Sequence, residues 1–173
     1  MKILDLGGLR KQKESEDIVT VNIGGLGDVE YDLNKFPYPF KDNMFDEVRI
    51  YHTLEHLERP IKVMEEVWRI LKPEGIVKIK VPYWKLFSTF SNPFHLHEFK
   101  EEWFYNLSPD APIYKGEVEN MNPFIPKLNF KVIKMERHKT PFGFDNWNKV
   151  SGLKRFIPNN VFKVLELEVW LKK

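Results

Sequence analysis

The chain contains no cysteine. That absence removes disulfides, cysteine-ligated zinc, iron–sulfur clusters and thiol catalysis. No apolar run approaches the ~20 residues that a membrane-spanning helix needs. No leader-like stretch precedes the first strand-like run, so the expected location is the cytoplasm, away from a membrane. An excess of one charge is also missing. Twenty-seven Lys and Arg face 25 Asp and Glu, for a net charge of +2. Lysines spread this evenly argue against a nucleic-acid partner, which would want a denser basic patch. There is no internal repeat and no low-complexity tract. What remains is the balance of a globular domain, 42% hydrophobic and 30% charged over 173 residues. That length suits one domain with one core. Many Lys and Glu without Cys fit a thermophilic source, and genome composition could do the same.

The first half reads as strands separated by turns. "MKILDL", residues 1–6, is a short apolar run that ends on Gly7 and Gly8. "DIVTVNI", 17–23, is β-branched and again runs into glycines. "DVEYDL", 28–33, and "FDEVRIY", 45–51, follow. The clearest helix is "RPIKVMEEVWRIL", 59–71. Pro60 suits its first turn, and Ile61, Met64, Val67, Trp68 and Leu71 recur at spacings of three and four. Lys72-Pro73-Glu74-Gly75 should end it. "IVKIKVP", 76–82, is a fifth strand. Past Pro82 the pattern weakens. Residues 98–107 could be a helix, 108–126 read as loop, and 145–156 could be a short helix. "LNFKVIKMERH", 128–138, and "KVLELEVWLKK", 163–173, alternate as two strands of an antiparallel pair. The expectation is an α/β protein with a Rossmann-like, doubly wound, mostly parallel seven-stranded sheet and a C-terminal antiparallel pair.

One motif invites a metal. "HTLEH", 52–56, has the His-x-x-Glu-His form of an inverzincin. On a continuous helix His52 and His56 would share a face, with Glu55 as general base. But "FDEVRIY" immediately before it reads as a strand, so the motif should straddle a strand-to-helix loop. No metal ligand is therefore assigned from sequence. His52 is expected at the rim of a cleft, with Glu55 and His56 opening the next helix.

"ILDLGG", followed by the stretch from Asp32 to Pro82, resembles the class I S-adenosylmethionine-dependent methyltransferases. The specific part is Pro39-Phe40, then Phe45-Asp46 after four residues, then Leu54-Glu55-His56, then Leu71-Lys72-Pro73-x-Gly75. "NPFHLHEF", 92–99, is similar to a histidine-bearing segment after the fifth strand in a subgroup with a shortened first crossover, like the type 11 methyltransferases. The resemblance covers roughly residues 2–105. It implies S-adenosylmethionine as cofactor, bound beyond the carboxyl ends of the strands. Asp5, Gly7 and Gly8 would form the turn that meets the methionyl part. Asn22 stands where the family carries an acid for the ribose hydroxyls. Asp32 and Leu33 match the adenine-binding position, although Asp32 could equally be a turn or helix cap. His52 would line the sulfonium side.

His95 and His97 are the expected catalytic residues. Methyl transfer needs positioning and, for some acceptors, a base, and histidine titrates near neutral pH. Tyr83, Trp84, Phe87, Phe90 and Phe94 could form an apolar pocket wall around them. The alternative is a lid packed by its own aromatics with both histidines exposed. The resemblance divides the chain into a cofactor-binding half (1–82), a lid or substrate segment (83–126) and C-terminal strands (127–173). It hints at a small-molecule or glycan substrate. The chain starts at its first strand, without the N-terminal helices common in this fold. The substrate side should be open or completed by a second subunit of a homodimer. Two competing readings are a scaffold that has lost the cofactor, and a metal hydrolase using His52, Glu55, His56 and His95 or His97.

Overall fold

The structure is a computed structural model, and it describes residues 1–83, 92–108, 128–139 and 165–173. Seven strands form one sheet: β1 (Ile3–Leu6), β2 (Ile18–Asn22), β3 (Val29–Glu30), β4 (Phe45–Tyr51), β5 (Leu71–Pro82), β6 (Lys131–Lys139) and β7 (Leu165–Lys172). Their order across the sheet is β3-β2-β1-β4-β5-β7-β6. The first five are parallel, and β7 joins antiparallel to both β5 and β6. This is the expected doubly wound sheet with its antiparallel C-terminal pair. The order reverses at β1. The chain leaves it toward β2 and later returns to its other side as β4, which opens a crevice at the carboxyl ends of these strands.

The first crossover is as short as its sequence suggests. Residues between β1 and β2 hold a single 3₁₀ turn, Arg10–Gln12. A parallel return needs little more than that length, and no buried residue falls on the turn.

Among the described residues, helix α1 (Pro60–Ile70) is the main cover of the sheet. It buries Pro60, Val63, Met64, Val67 and Ile70. The buried stripe is thus turned slightly from the expected one. Ile61 and Trp68 flank it, partly buried, and Trp68 stands edge-on to Phe130 with ring centroids 4.8 Å apart. Leu71 already belongs to β5, which starts earlier than expected and carries Lys72–Gly75 as an irregular opening with Glu74 at φ +66°. A second short helix, α2 (Glu101–Tyr105), occupies part of the stretch read as helical and buries Phe104. The segments 108–126 and 145–156 lie almost wholly outside the described residues.

Strand alternation separates two unlike faces. Leu4, Leu6, Val48, Ile50, Val77, Ile79, Val81, Leu167, Val169 and Leu171 join the core with α1 and α2. The residues between them are charged or aromatic. On that second face Glu47 takes Arg49 and Lys78 at 2.7 Å each. Lys78 and Lys134 lie over the Trp170 ring at 4.5 and 4.6 Å. Among the described residues, α1 and α2 lie on the apolar face, while the first crossover meets the charged face through Glu14, which accepts from Arg49 at 3.3 Å.

Candidate functional site

Five of the expected residues meet at the carboxyl ends of β1, β2 and β4. Gly7 follows β1 at φ +86°, and its N–H donates to Val21 O at 2.8 Å. Only glycine suits this turn. A Cβ on Gly7 would fall 2.1 Å from Thr53 Oγ1 and one on Gly8 2.4 Å from the Asp5 carboxyl. The turn is thus wedged between the end of β4 and the last polar residue of β1. Burial is the main influence on Asp5 and pushes its pKa up to about 6. The Arg49 guanidinium opposes this and Glu14 adds to it.

Asn22, at the end of β2, is already occupied. Its amide donates to Gly7 O at 2.8 Å and Gly8 O at 3.3 Å, and its Oδ1 accepts from Ile23 N at 2.8 Å. It ties two loops together rather than facing outward as a ribose acceptor. Arg10 reinforces the tie, with its N–H on Leu26 O at 2.9 Å and its guanidinium on Gly27 O and Asp28. Asn22→Asp should therefore destabilise the protein. The exchange removes two donors and turns a carboxylate toward two carbonyl oxygens, a loss of about 1–3 kcal/mol. Urea unfolding checks this, and a variant as stable as the parent would mean that the amide does not make these bonds.

Asp32 caps a turn. Its Oδ1 accepts from Asn34 N at 3.0 Å, and its own carbonyl accepts from Lys35 N at 2.9 Å. Leu33 is buried in the core, and its carbonyl accepts from the Tyr38 hydroxyl at 3.0 Å.

His52 sits where β4 leaves the sheet, at φ +48°. A side chain is uncommon in that region and tends to mark a constrained site. Its N–H donates to Lys80 O at 2.9 Å. Its Nε2 bonds to Glu166 on β7, and its Nδ1 lies 3.6 Å from Glu55. The Glu166 bond, followed by Glu55, pushes the imidazole up to about 9 against the effect of burial, so His52 is a cation at neutral pH. In return it holds Glu166 below the usual carboxylate range. Nothing in the alternating "LELEVW" distinguished Glu166 as this partner.

The rest of "HTLEH" is a 3₁₀ turn, Leu54–His56, separate from α1. It does not open that helix. The histidine-bearing segment packs on it. Leu96 N and His97 N both donate to Glu55 O, at 2.8 and 3.3 Å. This brings the His95 and His56 rings to 4.9 Å, edge to face. His97 turns away, with Nε2 3.3 Å from Glu58 O. Tyr83 and Phe99 are buried beneath the segment, while Phe94 is 74% exposed. Trp84, Phe87 and Phe90 fall outside the described residues.

The donor set fits S-adenosylmethionine at two points. The Gly7–Gly8 turn offers backbone free of side chains, and Asp32 keeps its second carboxylate oxygen outside the turn bond. At β2 the set departs, because Asn22 spends its amide within the protein.

Residues 9–79 match the family described as a methyltransferase domain. A candidate methyltransferase from Bacillus halodurans C-125 superposes with a TM-score of 0.67 at 13% identity, over 99% of this chain and 92% of that one. A SAM-dependent methyltransferase from Archaeoglobus fulgidus gives 0.61 at 18%, over 99% and 86%. The [4+2]-cyclase SpnF gives 0.60 at 13%, over 99% and 75%. No curated protein sequence matches. Strand order and superposition define an α/β protein of the class I methyltransferase fold. The domain match over residues 9–79 and these superpositions make the chain similar to the S-adenosylmethionine-dependent methyltransferases, proteins that use S-adenosylmethionine as cofactor.

Proposed function

We propose that the protein transfers a methyl group to a small molecule or glycan. The observation that carries this reading is the glycine turn at the switch point, with Asp32 two strands along, just past β3, and His52 at the end of β4. Gly7 and Gly8 would hold the methionyl part and Asp32 the adenine. When bound, the cofactor supplies an electrophilic methyl group. The protein's task is then to align an acceptor oxygen or nitrogen and to take its proton. Residues 1–82 serve as the cofactor half, and the histidine-bearing segment lines the acceptor side. His95 and His97 remain the candidates for that side. His97 suits proton acceptance better: an Nε2–H donated to Glu58 O leaves Nδ1 as the basic nitrogen. A protein of this chemistry would act in the cytoplasm, as a monomer or as a dimer that completes the acceptor side.

Calorimetric titration with S-adenosylhomocysteine tests the reading. Micromolar binding is expected, weakened about tenfold or more in Asp32→Ala. No binding up to millimolar by folded protein would sink it. A second reading, a scaffold without catalysis, is favoured by the engaged amide of Asn22, and that same negative result would support it.

A further inference from the structure

We infer that Glu55, His56 and His95 form a binding site for a first-row divalent metal ion of the zinc class. One donor atom from each residue lies within 4.8 Å of the others. The inference is independent of cofactor binding and rests on three features of the cluster.

The first is Glu55 itself. It is 1% exposed, and among the described residues neither carboxylate oxygen has a hydrogen-bond partner. Among the described residues its nearest cation, His52 Nδ1, stands 3.6 Å away, an ion pair too long for a hydrogen bond and made to one oxygen only. A buried carboxylate without such bonds is costly, and native proteins resolve that cost by pairing the group or coordinating a metal. The second is the tautomer of His56. Its Nδ1 is 2.9 Å from Phe94 O, a carbonyl that can only accept. The proton therefore sits on Nδ1, and the Nε2 lone pair turns toward Glu55 Oε1, 4.0 Å away. A ligating histidine held through its other nitrogen by a backbone carbonyl is the usual outer-shell arrangement. The third is the backbone. Two N–H bonds to Glu55 O fix the His95 segment on the Leu54–His56 turn, so the ligands are organised before any ion arrives.

Two imidazoles and a carboxylate suit zinc, which would leave a fourth position open to water or a substrate oxygen. Tetrahedral zinc spaces its donors roughly 3.3 Å apart, so small side-chain rotations would close the site. The cluster Glu136, His138 and Glu168 is different. There the Lys134 ammonium lies 3.3 Å from both carboxylates, and His138 reaches Glu168 at 2.8 Å. Glu168 also accepts from Lys134 and from Trp170 Nε1, so this carboxylate is hydrogen-bonded where both Glu55 oxygens are not.

The test is zinc titration of the chelator-stripped full chain, without S-adenosylhomocysteine, against a competing chromophoric chelator. One zinc per chain is expected, with a melting temperature raised by several degrees at saturation. Glu55→Gln, His56→Ala and His95→Ala should each weaken binding by tenfold or more, and His138→Ala should leave it unchanged. Glu55→Gln keeps the side chain's shape, so it remains informative if a histidine variant fails to fold. No stoichiometric binding, or binding that survives Glu55→Gln, would overturn the proposal. So would binding lost only in His138→Ala.

Discussion

Gly7→Ala should destabilise the protein by about 3 kcal/mol. Two costs add. The residue sits at φ +86°, where a side chain meets the following carbonyl oxygen at a cost of roughly 1–2 kcal/mol. The new Cβ would also fall 2.1 Å from Thr53 Oγ1 and 2.9 Å from its Cγ2. Both Thr53 atoms belong to a side chain bonded to Tyr51 O at 3.0 Å, so it cannot swing aside without losing that bond. Overpacking of this kind costs about 1–3 kcal/mol. The two parts can be separated. Thr53→Ala in the Gly7→Ala background removes the clash with Oγ1 and Cγ2 and should return about half of the loss, leaving the backbone term. Urea unfolding of the two single variants and the double variant measures both. If Gly7→Ala were within 0.5 kcal/mol of the parent, roughly the spread of ordinary surface changes, the turn would not have this conformation. The variant should also lose S-adenosylhomocysteine binding, because relief of the clash requires the turn to move away from β4.

The parts of the fold legible in the sequence are those set by local pattern. The strand 45–51 follows from β-branched and aromatic alternation and is found over those residues. The helix follows from Pro60 and a 3.6-residue period. The antiparallel pairing of β6 with β7 was readable because both alternate over nine and eight residues. Legibility fails where a side chain's role depends on what stands opposite. Asn22 looked like a weak substitute for a ribose-binding acid. Its amide is fixed instead by two carbonyls from another strand's turn, which no spacing reveals. His52 and His56 drew attention as a pair at i, i+4, yet the left-handed backbone at His52 breaks the helix that pairing needs. Glu55 meets a different histidine, His95, forty residues on, because Leu96 and His97 bond to its carbonyl. The charged alternation of β5, with lysines at 78 and 80, was visible. That its lysines oppose glutamates and a tryptophan on neighbouring strands was not.

Asp5→Asn should stabilise the protein at neutral pH by about 2–3 kcal/mol and have little effect at pH 4. In the folded state burial, as the dominant cause, raises the Asp5 carboxyl from 3.8 to about 6. The folded protein therefore holds this proton more tightly than the unfolded chain. Between about pH 3.8 and pH 6 the native state binds more protons at this site, so stability falls as pH rises through that window. Above it the full cost of the buried charge is present, and below it the carboxyl is neutral in both states and the cost disappears. The asparagine variant has no such charge, so its advantage should grow across the same window and then level off. Unfolding in urea at pH 4 and pH 7.5 tests this: equal differences at the two values would show that the carboxyl is not desolvated by folding. The position makes the result informative about function. Asp5 packs against Gly8 at the mouth of the crevice, and a charge held there at a cost to stability is a mark of a working site. If the more stable Asn variant also binds S-adenosylhomocysteine less tightly, the cost is tied to the cofactor. If binding is unaffected, Asp5 serves only the glycine turn, and recognition rests on the backbone of Gly7 and Gly8 with Asp32.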